Sequence, residues 1–462
     1  MGIIYQLNPF LEPHGVALIG VSRRTGSAAF NILENILNCG YKGKIYPVNP
    51  GASEILGVKA FSAVKDLPNG IDLAVIATPR EAVLQLVRQC IDKGIRCITV
   101  VAQGFADADE KGKRMQKELV AMARSGGVRI IGPNTFGTAN AFTSFSSSFA
   151  PVEMEHIPIG LICQTGVFFV GFTGLNLLGK AIDVGNACDV DIADALEYFK
   201  NDPQVRLVVI HTEGIPKGRR FMDVAARATR EKPVLVWKTA RTDEGARAAA
   251  SHTGSITGRD EVWNAALKRS GVIRVSELDE LKDMARAFSI LPPMRGRDIA
   301  VISFTGGFNI MTLDACARYD IRMAPLGPRT MAGLTAMAPP WLKMRNPVDI
   351  WTSMASKKTF KEMAGVLEES FRLLLSEPAV NALLFIGGTF ELNLPPILAD
   401  VLTRAAKEFP DKPVTSFFYG RYAMNGDDVM TAAGRAANFT SVERAVRALS
   451  HMAWYHDRVL AP

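Results

Sequence analysis

The chain has 462 residues, 48% of them hydrophobic and 21% charged, which is enough for about three domains and too apolar throughout for bulk disorder. Its net charge of +7 is spread along the sequence without a Lys/Arg block, which argues against a nucleic-acid arm or a polybasic membrane patch and suits an anionic small ligand. The six cysteines, Cys39, Cys90, Cys97, Cys163, Cys188 and Cys316, form no CxxC pair, so neither a zinc site nor a disulfide framework is expected, no metal site is predicted, and a reducing cytoplasm fits.

The N-terminus, MGIIYQLNPF, has no basic stretch ahead of an apolar core, so no signal peptide is expected. From there, apolar runs of strand length alternate with stretches of helical period, the α/β pattern of a parallel sheet covered by helices on both faces. Strands are predicted at 15–20, 44–48, 72–77, 97–101 and 128–131, with crossover helices at 28–38, 80–93 and 110–125. The polar, Ser- and Phe-rich segment 143–155 interrupts this rhythm and predicts a domain boundary. Strands resume at 159–163, 182–184, 205–211 and 234–237; the prolines and charges of 291–297 then read as a linker. A last part has strands at 299–303, 382–386 and 414–418. The predicted domains are 1–145, 152–292 and 297–462. The uncharged stretch 157–179 is long enough to span a bilayer, but its five glycines, Pro158, Gln164 and Asn176 favour a buried strand, turn and helix.

Residues 159–168 repeat 140 residues later at 299–308, with five of ten positions identical, including the Thr-Gly directly after the strand. The repeat predicts two similar doubly wound units; the alternative is two unrelated strand-to-helix turns that use glycine for the same steric reason.

Four turns of the first part lie where open parallel sheets bind ligands, beyond the carboxyl ends of the strands. The first, Gly20, Ser22, Arg23, Arg24, Gly26 and Ser27 of GVSRRTGS, lets backbone approach a phosphate and supplies positive charge. It lacks the G-x-G-x-x-G spacing of a dinucleotide fingerprint. The others contribute Asn49 and Pro50, Thr78 and Pro79, and Gln103 and Gly104. The Walker-like run from Gly174 to Ala181 is rejected, because Ala181 stands where Mg²⁺ needs a hydroxyl and its interior is apolar.

In the second part, His252 stands among Ala, Ser, Thr and Gly in a stretch, 245–258, that reads as a flexible loop running into a helix. Glu213 follows an apolar strand, where a carboxylate can orient an imidazole or serve as a solvated turn residue. Gln164, Thr165 and Gly166 follow another strand, where free amides can receive a phosphoryl group. Cys163 and His211 sit in or beside strands and read as structural.

Taken together, GVSRRTGS, KGKIYPVNP, IGPNTFG, GNACDVD, HTEGI, ARAAASHTGSITG, SGVIRV and RNPVD resemble the motifs of the nucleoside-diphosphate-forming acyl-CoA synthetases. The closer likeness is to the alpha subunit of ADP-forming acetate–CoA ligases, the more remote one to succinyl-CoA synthetase. The resemblance implies an N-terminal Rossmann-like CoA-binding domain, whose ligand residues would include Asn134 of IGPNTFG, followed by two flavodoxin-like domains. It implies that His252 is transiently phosphorylated, that Glu213 holds its imidazole, and that the 164–166 loop binds the phosphoryl group. The reaction implied is acid, CoA and ATP to acyl-CoA, ADP and phosphate, with ATP and Mg²⁺ on an ATP-grasp partner subunit and no membrane or nucleic-acid partner. Three departures stand out, one of them Thr305-Gly306-Gly307-Phe308 where the family more often has Ala-Gly-Gly-Pro. Cys163-Gln164-Thr165-Gly166 replaces the family's usual Ser-Gln-Ser-Gly, and Thr135 stands where the family has cysteine. Competing readings are a non-catalytic CoA-binding regulatory module of the same fold and a nicotinamide-dependent oxidoreductase; the presence of His252 and Glu213 argues against the first, the missing glycine fingerprint against the second.

Overall fold

The computed structural model describes residues 3–26, 29–252, 258–423 and 434–461. The chain divides into two compact units, 1–276 and 277–462.

Unit 1 holds two parallel sheets. In the first, the strands run side by side in the order Lys44–Val48, Gly15–Ile19, Leu73–Ile76, Cys97–Val100, Arg129–Ile131. The second has the order Ile273–Val275, Val234–Lys238, Leu207–Thr212, Ile159–Cys163, Lys180–Asp183, and the antiparallel hairpin Thr138–Asn140 and Phe145–Ser146 extends it. The central strands Leu73–Ile76 and Ile159–Cys163 are unbroken apolar runs because both faces are buried, at every position. In unit 2 the main order is Arg322–Met323, Asp298–Ser303, Ala382–Gly388, Val414–Tyr419, Ala437–Phe439, and Val348–Asp349 also pairs with Asp298–Ser303. Numbered by chain order within each sheet, and leaving aside the hairpin and Val348–Asp349, all three follow 2-1-3-4-5, the flavodoxin-like winding whose ligand crevice opens between strands 1 and 3.

The repeat therefore reflects equivalent positions, since both copies are the first strand of their sheet and the turn after it. Past that turn the two copies part. The first runs into a single helical turn, Val167–Val170, ended by Gly171 at φ +85°, and the second into the thirteen-residue helix Gly306–Arg318 capped by Thr305.

Local chemistry decides several boundaries. The first crossover helix begins at Ile32, later than the predicted residue 28, because the Asn31 side chain accepts from the amides of Leu33 and Glu34. A helix at Ile3–Leu11 precedes the first strand and buries Leu7, Phe10 and Leu11. Its carbonyls at Phe10 and Leu11 accept from Thr138 Oγ1 (2.6 Å) and Asn140 Nδ2 (3.2 Å), which ties it to the hairpin of the second sheet. The Walker-like run is spent on packing: Leu177 and Leu178 are buried, and Lys180, 2% exposed, pairs with Asp202 (2.7 Å) and Glu12 (2.9 Å). Among the described residues no helix is long and apolar enough to cross a membrane.

Candidate active site

At the carboxyl edge of the first sheet the turns after neighbouring strands meet. Gly20 takes φ +87°, and a Cβ there would lie 2.5 Å from Thr78 Cγ2 and 2.7 Å from the Ala77 carbonyl, so only glycine allows the first and third turns to close together. This contact is the crevice between strands 1 and 3, and Thr78 Oγ1 is buried there without a hydrogen-bond partner. Asn49 Nδ2 donates to the Val21 carbonyl (2.9 Å) and Arg23 to the Gly51 carbonyl (3.4 Å), which brings the Asn49–Pro50 turn alongside. Ser22 Oγ accepts from the Arg24 amide (3.0 Å), and both arginines are exposed. Pro79 begins the helix Arg80–Asp92. The Gln103–Gly104 turn is held by Arg80, which donates to the Gly104 carbonyl at 2.6 Å and pairs with Asp109. Ser27 lies outside the described residues.

Two groups at this edge change the expected picture. Asn31, and not a bare helix N-terminus, satisfies the first amides of the helix Ile32–Cys39. The Glu34 carboxylate accepts from the Gly26 amide at 2.9 and 3.2 Å, and Ser22, Arg23 and Arg24 are anion-seeking side chains among the loop's described residues. Neither Glu34 nor Arg80 is among the residues expected at this edge, although an acidic residue in the first helical turn and the Thr-Pro-Arg after a strand are signals visible in the sequence.

At the second sheet, Gln164 is 7% exposed and organises the site. Its Oε1 accepts from Thr212 Oγ1 (2.7 Å) and from the amides of Glu213 (2.9 Å) and Gly214 (3.5 Å). Gln164 and Glu213 are thereby brought together on the ends of adjacent strands. Thr165 and Gly166 are half-buried beside them. A Cβ on Gly166 would sit 2.0 Å from the Phe136 ring, so glycine there is a packing requirement.

The two edges are joined by residues 132–136 and 183–186. Asn134, at φ +60°, donates its amide to the Ala102 carbonyl (2.9 Å) and its side chain to Asn186 Oδ1 (3.5 Å). Asn186 N–H donates to the Pro133 carbonyl, Phe136 N–H to Asp183 Oδ2 (2.7 Å), and Val184 N–H to the Cys163 carbonyl. A path of direct contacts thus runs from the Gln103–Gly104 turn to the loop after Cys163. Two of the residues that depart from the family pattern meet on it: Thr135 Oγ1 donates to the Asp183 carbonyl and Cys163 hydrogen-bonds the Asp183 side chain.

Burial governs the ionisation here. It raises the Asp183 carboxyl to about 6, against the pull of the Phe136 and Gly185 amides, and holds the Cys163 thiol well above its ordinary value. Cys163 is therefore a protonated core residue and not a nucleophile. His211, 4% exposed, is lowered to about 4 by burial and by Lys238, and its ring lies 4.6 Å from that of Phe168.

The stretch expected to be a loop from residue 245 is helical up to His252, within the helix Asp243–His252. Alanine, the strongest helix former, occurs three times in a row there and overrides the impression given by small residues. The His252 side chain and residues 253–257 lie outside what the structure describes.

The geometry has parallels among known proteins. The model for a CoA binding domain matches residues 14–141, and that for a succinyl-CoA ligase like flavodoxin domain matches residues 157–288. Subunit alpha of acetate–CoA ligase [ADP-forming] I from Pyrococcus furiosus is 35% identical over 458 residues, 96% of each chain. The 4-hydroxybutyrate–CoA ligase [ADP-forming] of Nitrosopumilus maritimus is 31% identical over 98% of this chain, which spans 64% of that protein's length. Among solved structures, the dinucleotide-forming acetyl-coenzyme A synthetase 1 of Ca. Korarchaeum cryptofilum, in complex with phosphate and ADP, superposes with a TM-score of 0.88 at 30% identity, covering 98% of this chain and 97% of that one.

Proposed function

Because the chain belongs to the family of ADP-forming acetate–CoA ligase alpha subunits, we propose that it is the CoA-binding subunit of a ligase that joins a carboxylic acid to CoA through an acyl phosphate and phospho-His252. The observation that carries this reading is the continuous path from the first-sheet turns through 132–136 and 183–186 to the 164–166 loop and Glu213. A thiol bound at the first edge and a phosphoryl group held at the second would be neighbours on that path. In this reading residues 1–145 bind CoA through Gly20, Ser22, Arg23, Arg24, Gly26, Ser27, Asn49, Pro50, Thr78, Pro79, Gln103, Gly104 and Asn134. The orphaned Thr78 hydroxyl at the crevice supports it, since a ligand polar atom would complete its bonding.

The part of the expected ligase domain, 152–292, that lies in the first unit, up to residue 276, supplies the chemistry, and the second unit, with the expected domain 297–462, forms a domain of the same kind. Gln164 fixes the Glu213 backbone, so the carboxylate can hold one imidazole nitrogen of His252 and leave the other as the phosphoryl acceptor. Thr165 and Gly166 present hydroxyl and backbone amide to the phosphoryl oxygens. An acyl phosphate forms when a carboxylate oxygen of the acid attacks the phosphorus and the imidazole leaves; CoA thiolate then attacks the acyl carbon, and phosphate leaves. ATP and its Mg²⁺ belong to an ATP-grasp partner subunit. The N. maritimus protein, about a third of which lies beyond the match, is compatible with a fused version of such a partner. The six free cysteines suit a cytoplasmic setting.

The test is incubation of the full chain with labelled ATP, with and without the partner subunit. Label that is acid-labile and base-stable is expected on the wild type only when the partner is present, and none on His252→Ala. Equal labelling of His252→Ala, or turnover of ATP by the chain alone, would refute the assignment.

A further inference from the structure

We infer that Lys238 is a positioning residue for phosphoryl transfer, a buried ammonium that ties the turn leading into the helix Asp243–His252 to the helix Asp260–Arg269 and to the sheet edge at Glu213. The inference rests on the reading of His252 as phosphoryl carrier and assigns a role to a residue which that reading does not use.

Lys238 ends the strand Val234–Lys238, opposite Thr212, and is 1% exposed. An apolar side chain would continue the run VLVW at no desolvation cost, so a retained cation at this position calls for a reason. Its Nζ donates to the carbonyls of Thr239 and, at 3.2 Å, Ala240, and lies 5.3 Å over the ring of Trp263. These partners stand on both sides of the His252-bearing segment. Ala240 has φ +56°, a left-handed conformation unusual for a non-glycine residue, and the next residues launch the helix: Thr242 accepts from the Gly245 amide (3.0 Å). Trp263 stands on the far side, in the helix Asp260–Arg269.

Charges from every neighbouring element converge on the same ammonium. Asp260, at the start of the far helix, and Glu213, at the strand edge, favour its charge; Arg274 on the strand Ile273–Val275 and Arg241 in the turn oppose it. Asp260 is itself held by Arg274 and faces Arg241 at 3.6 Å. His211, kept neutral, bonds Thr239 Oγ1 through Nε2 at 3.2 Å and so braces the turn from behind. Burial dominates the balance and lowers the lysine to about 8. Below that pH the ammonium holds two carbonyls by charge-assisted bonds; above it a neutral amine donates more weakly and the turn loosens.

The experiment measures the rate at which the full chain, mixed with its partner subunit and ATP, becomes phosphorylated between about pH 6.5 and 10. Wild type should show a basic limb near pH 8. Lys238→Met should lose that limb and slow by about ten- to a hundredfold, while CoA affinity, which belongs to another sheet, stays within about twofold. Lys238→Arg, charged throughout the range, should retain more of the rate and move the limb upward by at least about one pH unit. A folded Lys238→Met with wild-type rate and limb would overturn the proposal. If that variant fails to fold, an unmoved limb in Lys238→Arg would overturn it equally. His252→Ala, run in parallel, separates the two claims: label surviving there removes the phosphoryl carrier itself, whereas label lost there but unaffected at Lys238 removes only the role of the lysine.

Discussion

His211 and Asp183, both buried beside the candidate site, answer pH in opposite senses. His211 is lowered from 6.5 to about 4 by burial and by Lys238, so the unfolded chain binds the proton more readily than the folded one between those values, and stability falls as pH drops through that window. Asp183 is raised from 3.8 to about 6 by burial, so its contribution is present below pH 3.8 and is lost as pH rises through 6. The two partly cancel in the wild type. His211→Phe should pack against Phe168 and Trp237 and remove one member of the pair. Between pH 7 and 4.5 the wild type should then lose about 2 kcal/mol relative to the variant. Denaturant titrations at the two pH values measure this; a constant difference between wild type and variant would show that His211 binds its proton equally in the folded and unfolded chain. The chemistry of neither residue was legible in sequence, since ionisation depends on burial. Only the placement of His211 in an apolar strand signalled that it would be structural.

The element that sets the charge of the first sheet's carboxyl edge is the turn from Gly20 to the helix Ile32–Cys39. Its glycine and arginines were readable from composition, but the late start of the helix was not, because it hinges on Asn31 satisfying amides that sequence alone leaves open. Arg23→Ala or Arg24→Ala should weaken CoA binding by about 1–3 kcal/mol where the side chain meets a phosphate. Glu34→Gln should leave affinity equal or higher, because it removes a negative charge bound to the Gly26 amide. Calorimetry with unchanged affinity in both arginine variants would sink the assignment of this turn. The same contrast holds for other elements. The central strand 159–163 was predicted to the residue, because a strand buried on both faces is an unbroken apolar run. The helix Asp243–His252 was hidden by reading small residues as flexible ones, and Phe145–Ser146 is too short to carry a period.

On the scale of the molecule, one winding order serves three sheets, and the sequence betrayed this only at the first strand and the turn after it, where 159–168 and 299–308 coincide. Beyond that point the units diverge, since a four-residue turn in one stands where the other has a thirteen-residue helix. The sheet edges were legible as places for ligands, because parallel topology fixes where loops cluster. Their chemistry was not. Gln164 reads from sequence as a phosphate ligand, but its carbonyl oxygen is taken up by Thr212, Glu213 and Gly214, so it acts at least in part as the bracket that sets Glu213.

The hairpin Thr138–Asn140 and Phe145–Ser146 has a practical consequence for anyone who cuts the chain. The CoA-binding match ends at residue 141, yet Thr138–Asn140 pairs with Lys180–Ile182 and anchors the helix Ile3–Leu11 through Thr138 and Asn140. A fragment ending at 141 would carry away one arm of the hairpin, and a fragment starting at 157 would be left with the outer strand of its sheet unpaired. Such a bare strand is a template for association with other copies. The ligase half expressed from residue 157 should therefore run as aggregates or oligomers on size exclusion, while residues 1–276 kept whole should run as a single discrete species; a well-behaved monomer from 157 onward would show that the hairpin is ornament and not a seam.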